Sequence, residues 1–129
     1  DGVQCGSFEG FIQSTKQQDL EAQDLMATLS GYTAYKIGQM GNDWHETQTL
    51  WWRGVAYPRL SHEYHILIAR AYDACFDQNE DFRKSLRETG NAVLTHKIGN
   101  HDPTKTTLTE WEYIYNMYRL RSRILQWDF

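Results

Sequence analysis

Two cysteines in 129 residues leave little room for sulfur chemistry. Cys5 and Cys75 make no Cys-x-x-Cys pair and no zinc pattern, and Cys75 lies in an apolar helical stretch where a buried free thiol is the usual outcome. A disulfide between them stays open, and the cysteine usage reads as cytoplasmic. The sequence has no apolar run of membrane-spanning length and no secretory leader. Its 13 Lys and Arg are outnumbered by 17 Asp and Glu, for a formal charge of −4. That balance argues against a generic polyanion binder, which needs a basic patch dense enough to displace counterions. Also missing are a Gly-rich phosphate loop followed by lysine, a Ser-His-Asp order with its elbow, a dinucleotide fingerprint, internal repeats and low-complexity segments. His62, Glu63 and His65 fall within one helical turn, but no matching distant ligand accompanies them, so they read as surface side chains and not as a metal site.

Aromatic residues are plentiful, at 14% with 5 Trp and 8 Tyr, which suits a packed small core or a stacking pocket. Helical periodicity and caps predict a compact, mainly α single domain over residues 1–129, with about five helices and one or two short strands. Ser7 caps a first helix to about Lys16, and Asp19 a second to Leu29 with Leu20, Leu25, Met26 and Leu29 as its apolar face. Ser30 opens a third, to about Met40. The stretch from Asn42 to Arg59 reads as loop and hairpin, with Gly54 at the turn and Val55 to Tyr57 as a strand. A long helix follows from Ser61 to about Phe76, and another from Asn79 to Thr89, ended by Gly90. Val93 and Leu94 read as a short buried strand leading into His96. A Thr109/Glu112 capping box opens the last helix, whose apolar residues include Ile114, Met117, Leu120 and Leu125 and whose Arg119, Arg121 and Arg123 read as a solvated basic face.

The stretch from Ser7 to Lys16 carries the most chemistry. Glu9, Gln13 and Lys16 are spaced by four and three residues, so a helix gathers an acid, an amide and an amine on one face while Phe8, Phe11 and Ile12 anchor its flank. An ordinary amphipathic helix with a solvated polar side has the same spacing. Trp44, Trp51 and Trp52 pack as a minicore or stack on a planar ring, and Arg53 and Arg59 are suited to bidentate phosphate contact.

Glu9, Phe11, Gln13 and Lys16, then Ser30, Ala34 and Gly38, then Ala69 to Leu94 with Arg70, Ala71, Phe76, Gln78, Asn79, Phe82, Leu86, Thr89 and Gly90, together resemble the NADAR family of YbiA-like N-glycosidases. The resemblance implies a YbiA-like fold, a short further segment before Asp1, and an N-glycosyl hydrolase of an ADP-ribosylated base or a ribose-phosphate-linked nucleotide, free or on nucleic acid. Glu9 would stabilise the oxocarbenium-like transition state, with Lys16 holding it ionised or pairing with a phosphate. Gln13 would position ribose hydroxyls, and Lys36, Trp44, Arg53, His96 and Asp102 would complete the substrate site, without cofactor or metal. Where the family carries a Trp-Gly, glycine-rich loop, this chain has the polar run from Gly99 to Thr109, which leaves the leaving group open. A non-catalytic module binding ADP-ribose or a protein is the alternative.

Overall fold

The computed structural model describes residues 2–96 and 100–127, without the side chains of 125–127. Leu125 of the expected apolar face and Gly99 of the polar run therefore lie outside what is described. The chain is mainly α, and it falls into two units, Asp1–Ile66 and Leu67–Phe129. No helix among the described residues is long and apolar enough to cross a membrane.

The first unit holds α1 (Phe8–Ser14), α2 (Leu20–Ala27), α3 (Gly31–Gly38), the short α4 (Trp44–Thr47), and the antiparallel pair β1 (Thr49–Trp52) and β2 (Val55–Pro58). Ser7 caps α1 by accepting from the Gly10 amide at 2.9 Å, and Asp19 caps α2 through the Ala22 amide, also at 2.9 Å. Helix α1 stops before Lys16 because the chain tightens there: the Lys16 and Gln17 amides donate to Gln13 and Ser14 carbonyls three residues back. The Ser14 and Thr15 hydroxyls, both buried, also bond back to the carbonyls of Phe11 and Ile12 at 2.6 Å. Gly10 lets α1 lie directly on the end of α2, since a Cβ there would come within 2.2 Å of the Leu29 carbonyl oxygen.

Helix α2 turns a different face inward from the one its leucines suggest. Gln23, Met26 and Ala27 are buried, whereas Leu20 and Leu25 are exposed. Gln23, with no accessible surface, is the reason. Its Nε2 donates to the Gln17 and Trp51 carbonyls at 3.1 and 2.9 Å, and its Oε1 accepts from the Arg53 amide at 3.1 Å. One side chain thus ties the end of α1 to the end of β1 and the first residue of the hairpin turn. The Trp51 amide adds a direct bond to the Thr15 carbonyl at 2.7 Å. The turn itself, Arg53-Gly54, has positive φ at both residues (48° and 84°), the geometry of a two-residue hairpin connection. The hairpin packs inward through Leu50 and Trp52, the latter edge-on to Phe11 at 4.9 Å between centroids.

Helix α5 (His62–Gln78) begins in the first unit, where the Ser61 hydroxyl accepts from the Tyr64 amide at 3.1 Å, and continues into the second. The second unit adds α6 (Glu80–Glu88), capped by Asn79, and α7 (Glu110–Trp127). Its buried apolar residues are Leu67, Ile68, Tyr72 and Phe76 on α5, Leu86 on α6, and Ile114, Met117, Leu120 and Ile124 on α7. The Thr109/Glu112 capping box forms, with the Thr109 amide donating to Glu112 at 2.7 Å and the Glu112 amide to Thr109 at 3.1 Å. Two expectations fail here. The Val93–Leu94 segment is not a buried strand: it has no regular structure and Val93 is exposed, because the Leu94 amide is satisfied by the Tyr118 hydroxyl at 2.8 Å and not by a strand. The arginines of α7 are not simply a solvated face either. Arg119 pairs with Asp73 at 2.7 Å, Arg123 with Asp77 at 3.2 Å, and the buried Arg121 donates to the Thr89 hydroxyl and the Ala92 carbonyl at 3.0 and 2.9 Å.

Replacing Gln23 with Leu keeps the volume and leaves the Arg53 amide and Trp51 carbonyl without their partner. The expected cost is about 2–4 kcal/mol of folding stability, read as a lowered urea midpoint with an unchanged slope. An unaltered midpoint would show that water replaces this amide freely.

Candidate functional site

Helix α1 brings Glu9 and Gln13 onto one face, as their spacing predicts, with Lys16 in the tightened turn just past its end, but that face is not a solvated one. It lies against α3, and only Glu9 keeps substantial exposure; Gln13 and Lys16 are 4% and 9% exposed. The Gln13 Nε2 donates to Glu9 Oε1 at 2.8 Å, which fixes the carboxylate from the helical turn below it. The other end of that amide, Oε1, is buried without a hydrogen-bond partner among the described residues. Lys16 reaches across to the Gly38 carbonyl at 3.4 Å, and Asn42 donates to the same oxygen at 2.9 Å.

Gly38 is what makes this arrangement possible. A Cβ at Gly38 would sit 2.0 Å from Gln13 Oε1 and 2.5 Å from its Cδ, so the amide occupies the space of a missing side chain. Burial pushes the Lys16 amine below its usual lysine range, and the Glu9 carboxylate opposes that shift in part. The chemistry available is a half-buried, oriented carboxylate and, seven residues on, a desolvated ammonium that senses its charge.

The remaining candidates are not drawn to this face as a set. Lys36 is exposed on α3, with its amine 5.4 Å from the ring centre of Tyr32. Trp44 is 1% exposed and fills the core, so it offers no ring for a ligand to stack on. Arg53 pairs with Asp24 and lies over the Trp52 ring at 5.6 Å. It lines a surface groove of about 510 Å³ together with Val3, Gln4, Asp24 and Thr28, a groove that contains none of Glu9, Gln13 and Lys16. Arg59 is buried over the Tyr64 ring. His96 and Asp102 belong to the second unit. His96 stacks on Tyr113 with centroids 4.5 Å apart. Asp102 ties a local turn by accepting from the Thr104 amide and hydroxyl at 2.9 and 2.7 Å, and these bonds hold its carboxyl below the usual range. Its observed role is therefore in loop structure. Gly38 and Asn42, by contrast, had no assigned part, and only their four-residue separation at the end of a helix hints at the shared carbonyl.

The features so far define a mainly α protein with a polar cluster clasped between two short helices, and comparison with known proteins supplies a family. The family model of Bacteriophage protein GP30.3 matches residues 1–122. An uncharacterized 17.1 kDa protein of the Gp30–rIII intergenic region of Enterobacteria phage T4 is 34% identical over 125 residues, covering 96% of this chain and 82% of that protein. The chain belongs to the GP30.3 family. No solved structure matches it. Membership of the NADAR family, inferred from the Glu9, Gln13, Lys16 spacing and the later segments, is thereby overturned: the match that spans nearly the whole chain is to the phage family. Short spacings of common polar residues on amphipathic helices arise from helix periodicity alone, which is why they misled.

Two outcomes test the site. Glu9→Gln removes the charge that raises the Lys16 amine, so the Lys16 midpoint followed by ¹⁵Nζ NMR falls further below that of the parent. Since the folded midpoint already lies below the unfolded one, the unfolded chain binds more protons between the two, and parent stability rises with pH across that window. A Lys16 midpoint indifferent to Glu9→Gln would mean the two charges do not sense each other. Gly38→Ala forces the Gln13 amide aside and is expected to cost about 1–3 kcal/mol, with a displaced Gln13 side-chain amide resonance; an unmoved resonance would contradict the contact.

Proposed function

We propose that the α1 face is the reacting surface of an N-glycosyl hydrolase acting on a ribose phosphate or ADP-ribose linked to a base. The observation that carries this reading is the Glu9 carboxylate, half-buried and held by Gln13 at 2.8 Å while the Lys16 side chain lies buried in the turn just past the helix. Breaking the bond between C1 of a ribose and a nitrogen leaves the electron pair with the base and positive charge on C1 and the ring oxygen. A fixed carboxylate beside C1 stabilises that charge and accepts a proton from the attacking water, while the departing nitrogen takes up a proton. Glu9 has the orientation for both tasks because the Gln13 amide restrains one of its oxygens and leaves the other open. The neighbouring α3 presents Tyr32, Tyr35 and Lys36 to solvent, two rings and a cation of the kind that contact a base and a phosphate.

A second reading has its own support. Gln13 and Lys16 are taken up by Gly38 of α3 and stand away from solvent, which suits a module that binds a ligand or protein without turning it over.

Incubating the protein with an ADP-ribosylated guanine oligonucleotide and with a phosphorylated pyrimidine nucleotide intermediate, and measuring released base, separates the two. The hydrolase reading expects release by the parent and a loss of at least about 100-fold with Glu9→Gln at retained affinity, the scale of a lost charge-stabilising or acid-base group. Binding without release by either protein favours the module, and equal release by both removes Glu9 from the chemistry.

A further inference from the structure

The first unit has a groove that the α1 site does not use. Its volume of about 510 Å³ is in the range of small-molecule sites, and it is lined by the irregular segment from Gly2 to Gln4, by Asp24 and Thr28, and by Arg53 at the hairpin turn. Asp24 and Arg53 are its only charged residues, and they form an ion pair. The lining is therefore neutral as a whole and carries both signs of charge side by side.

Arg53 stands where an arginine is disfavoured. Trp52 pairs with Val55, so Arg53 and Gly54 make a two-residue connection, and φ values of 48° and 84° are those of a type I′ turn. Glycine, asparagine and aspartate take the first of these positions readily, whereas a long side chain there is strained, and backbone strain that the surroundings hold in place points to a task for the residue. The surroundings do hold it: the fully buried Gln23 accepts from the Arg53 amide at 3.1 Å. They orient the side chain too. The guanidinium lies over the Trp52 ring at 5.6 Å, and its Nη1 donates to Asp24 Oδ1. Nε and Nη2 of Arg53, and Oδ2 of Asp24, make no hydrogen bond among the described residues. An oriented pair of donors thus stands next to an oriented acceptor, both on groove-lining residues.

We infer that the groove binds a free α-amino acid, with the ligand carboxylate on Nε and Nη2 of Arg53 and the ligand ammonium on Oδ2 of Asp24. The side-on edge of a guanidinium suits the two oxygens of a carboxylate, and the ligand dipole runs opposite to that of the Arg53–Asp24 pair, so four charges alternate. A peptide does not fit this pattern, because its ammonium and carboxylate belong to different residues. A phosphate or a lone carboxylate fits it poorly, since Asp24 repels what Arg53 attracts. The rest of the lining, Val3, Gln4 and Thr28 among it, is uncharged, so the ligand side chain is uncharged as well.

The test is a ¹⁵N NMR titration of the full chain with L-leucine, L-threonine and L-phenylalanine, each to about 50 mM, a ceiling that captures millimolar binding. At least one should shift the Val3, Gln4 and Arg53 amides and the Arg53 Nε signal to saturation. Its analogues without the amine and without the carboxylate should each bind at least about tenfold more weakly, and inorganic phosphate no better than they do. Arg53→Asn should abolish binding while the thermal midpoint stays at or above the parent's, because asparagine accepts the positive φ and an exposed ion pair contributes little. Asp24→Asn should reverse the preference, so that the amine-free analogue binds at least as tightly as the amino acid. No shift with any of the three amino acids, an analogue or phosphate that binds as tightly as the amino acid, binding by Arg53→Asn equal to the parent's, or an Asp24→Asn chain that keeps the parent's preference would each overturn the inference.

Discussion

A single buried amide holds the first unit in register. Gln23 has no accessible surface and bonds backbone groups of β1 and of the hairpin turn as well as the chain leaving α1. A buried donor or acceptor without a partner costs as much as several well-packed methylenes, so these segments keep their relative placement or the unit loses stability. Because the Trp51 amide also bonds the Thr15 carbonyl, the end of α1 has little freedom to slide. Gln13 and Lys16, on either side of that anchor, inherit their position from it.

What that position achieves is the contact with Gly38. The Gln13 amide stands where a Cβ would be, and Lys16 and Asn42 converge on the Gly38 carbonyl, so the polar side of α1 is clasped by α3 and not left to solvent. Desolvation then lowers the Lys16 amine, and Glu9 becomes the one member of the trio that combines restraint with access. An oriented, accessible carboxylate is an arrangement for stabilising developing positive charge or for ordering a polar ligand, and the two proposed functions differ only in which of these the protein carries out. Family membership places the chain among the GP30.3 proteins without selecting between them.

The second unit resolves its charges differently. Arginines on α7 meet Asp73 and Asp77 one turn apart on α5, and Arg123 also lies 4.5 Å from the ring centre of Phe76. Such partly exposed pairs contribute modestly to stability. With Arg119 and Arg123 drawn to α5, Arg121 to Thr89 and Ala92, and aliphatic residues to the core, Trp111, Tyr115 and Tyr118 are left exposed on α7.

The helices themselves were legible in the chain. Ser7, Asp19 and Asn79 each cap the helix their positions predict, the Thr109/Glu112 box forms, and the turn falls at Arg53-Gly54, because these are local interactions between residues three or four apart. The sharing of one face by Glu9 and Gln13 was legible for the same reason. Which of those faces is buried was not. Leu25 is exposed while Gln23 is buried, Trp44 is core and not ligand platform, and Asp102 closes a turn, since hydropathy ranks a residue alone and burial depends on the backbone groups it must satisfy. Sequence alone determined the helix starts and the grouping of polar side chains, both set within a turn or two of chain. Tertiary structure decided that Gln13 and Lys16 face Gly38 and that Gln23 binds the hairpin, because those partners lie 22 to 30 residues away and only packing brings them within hydrogen-bond reach.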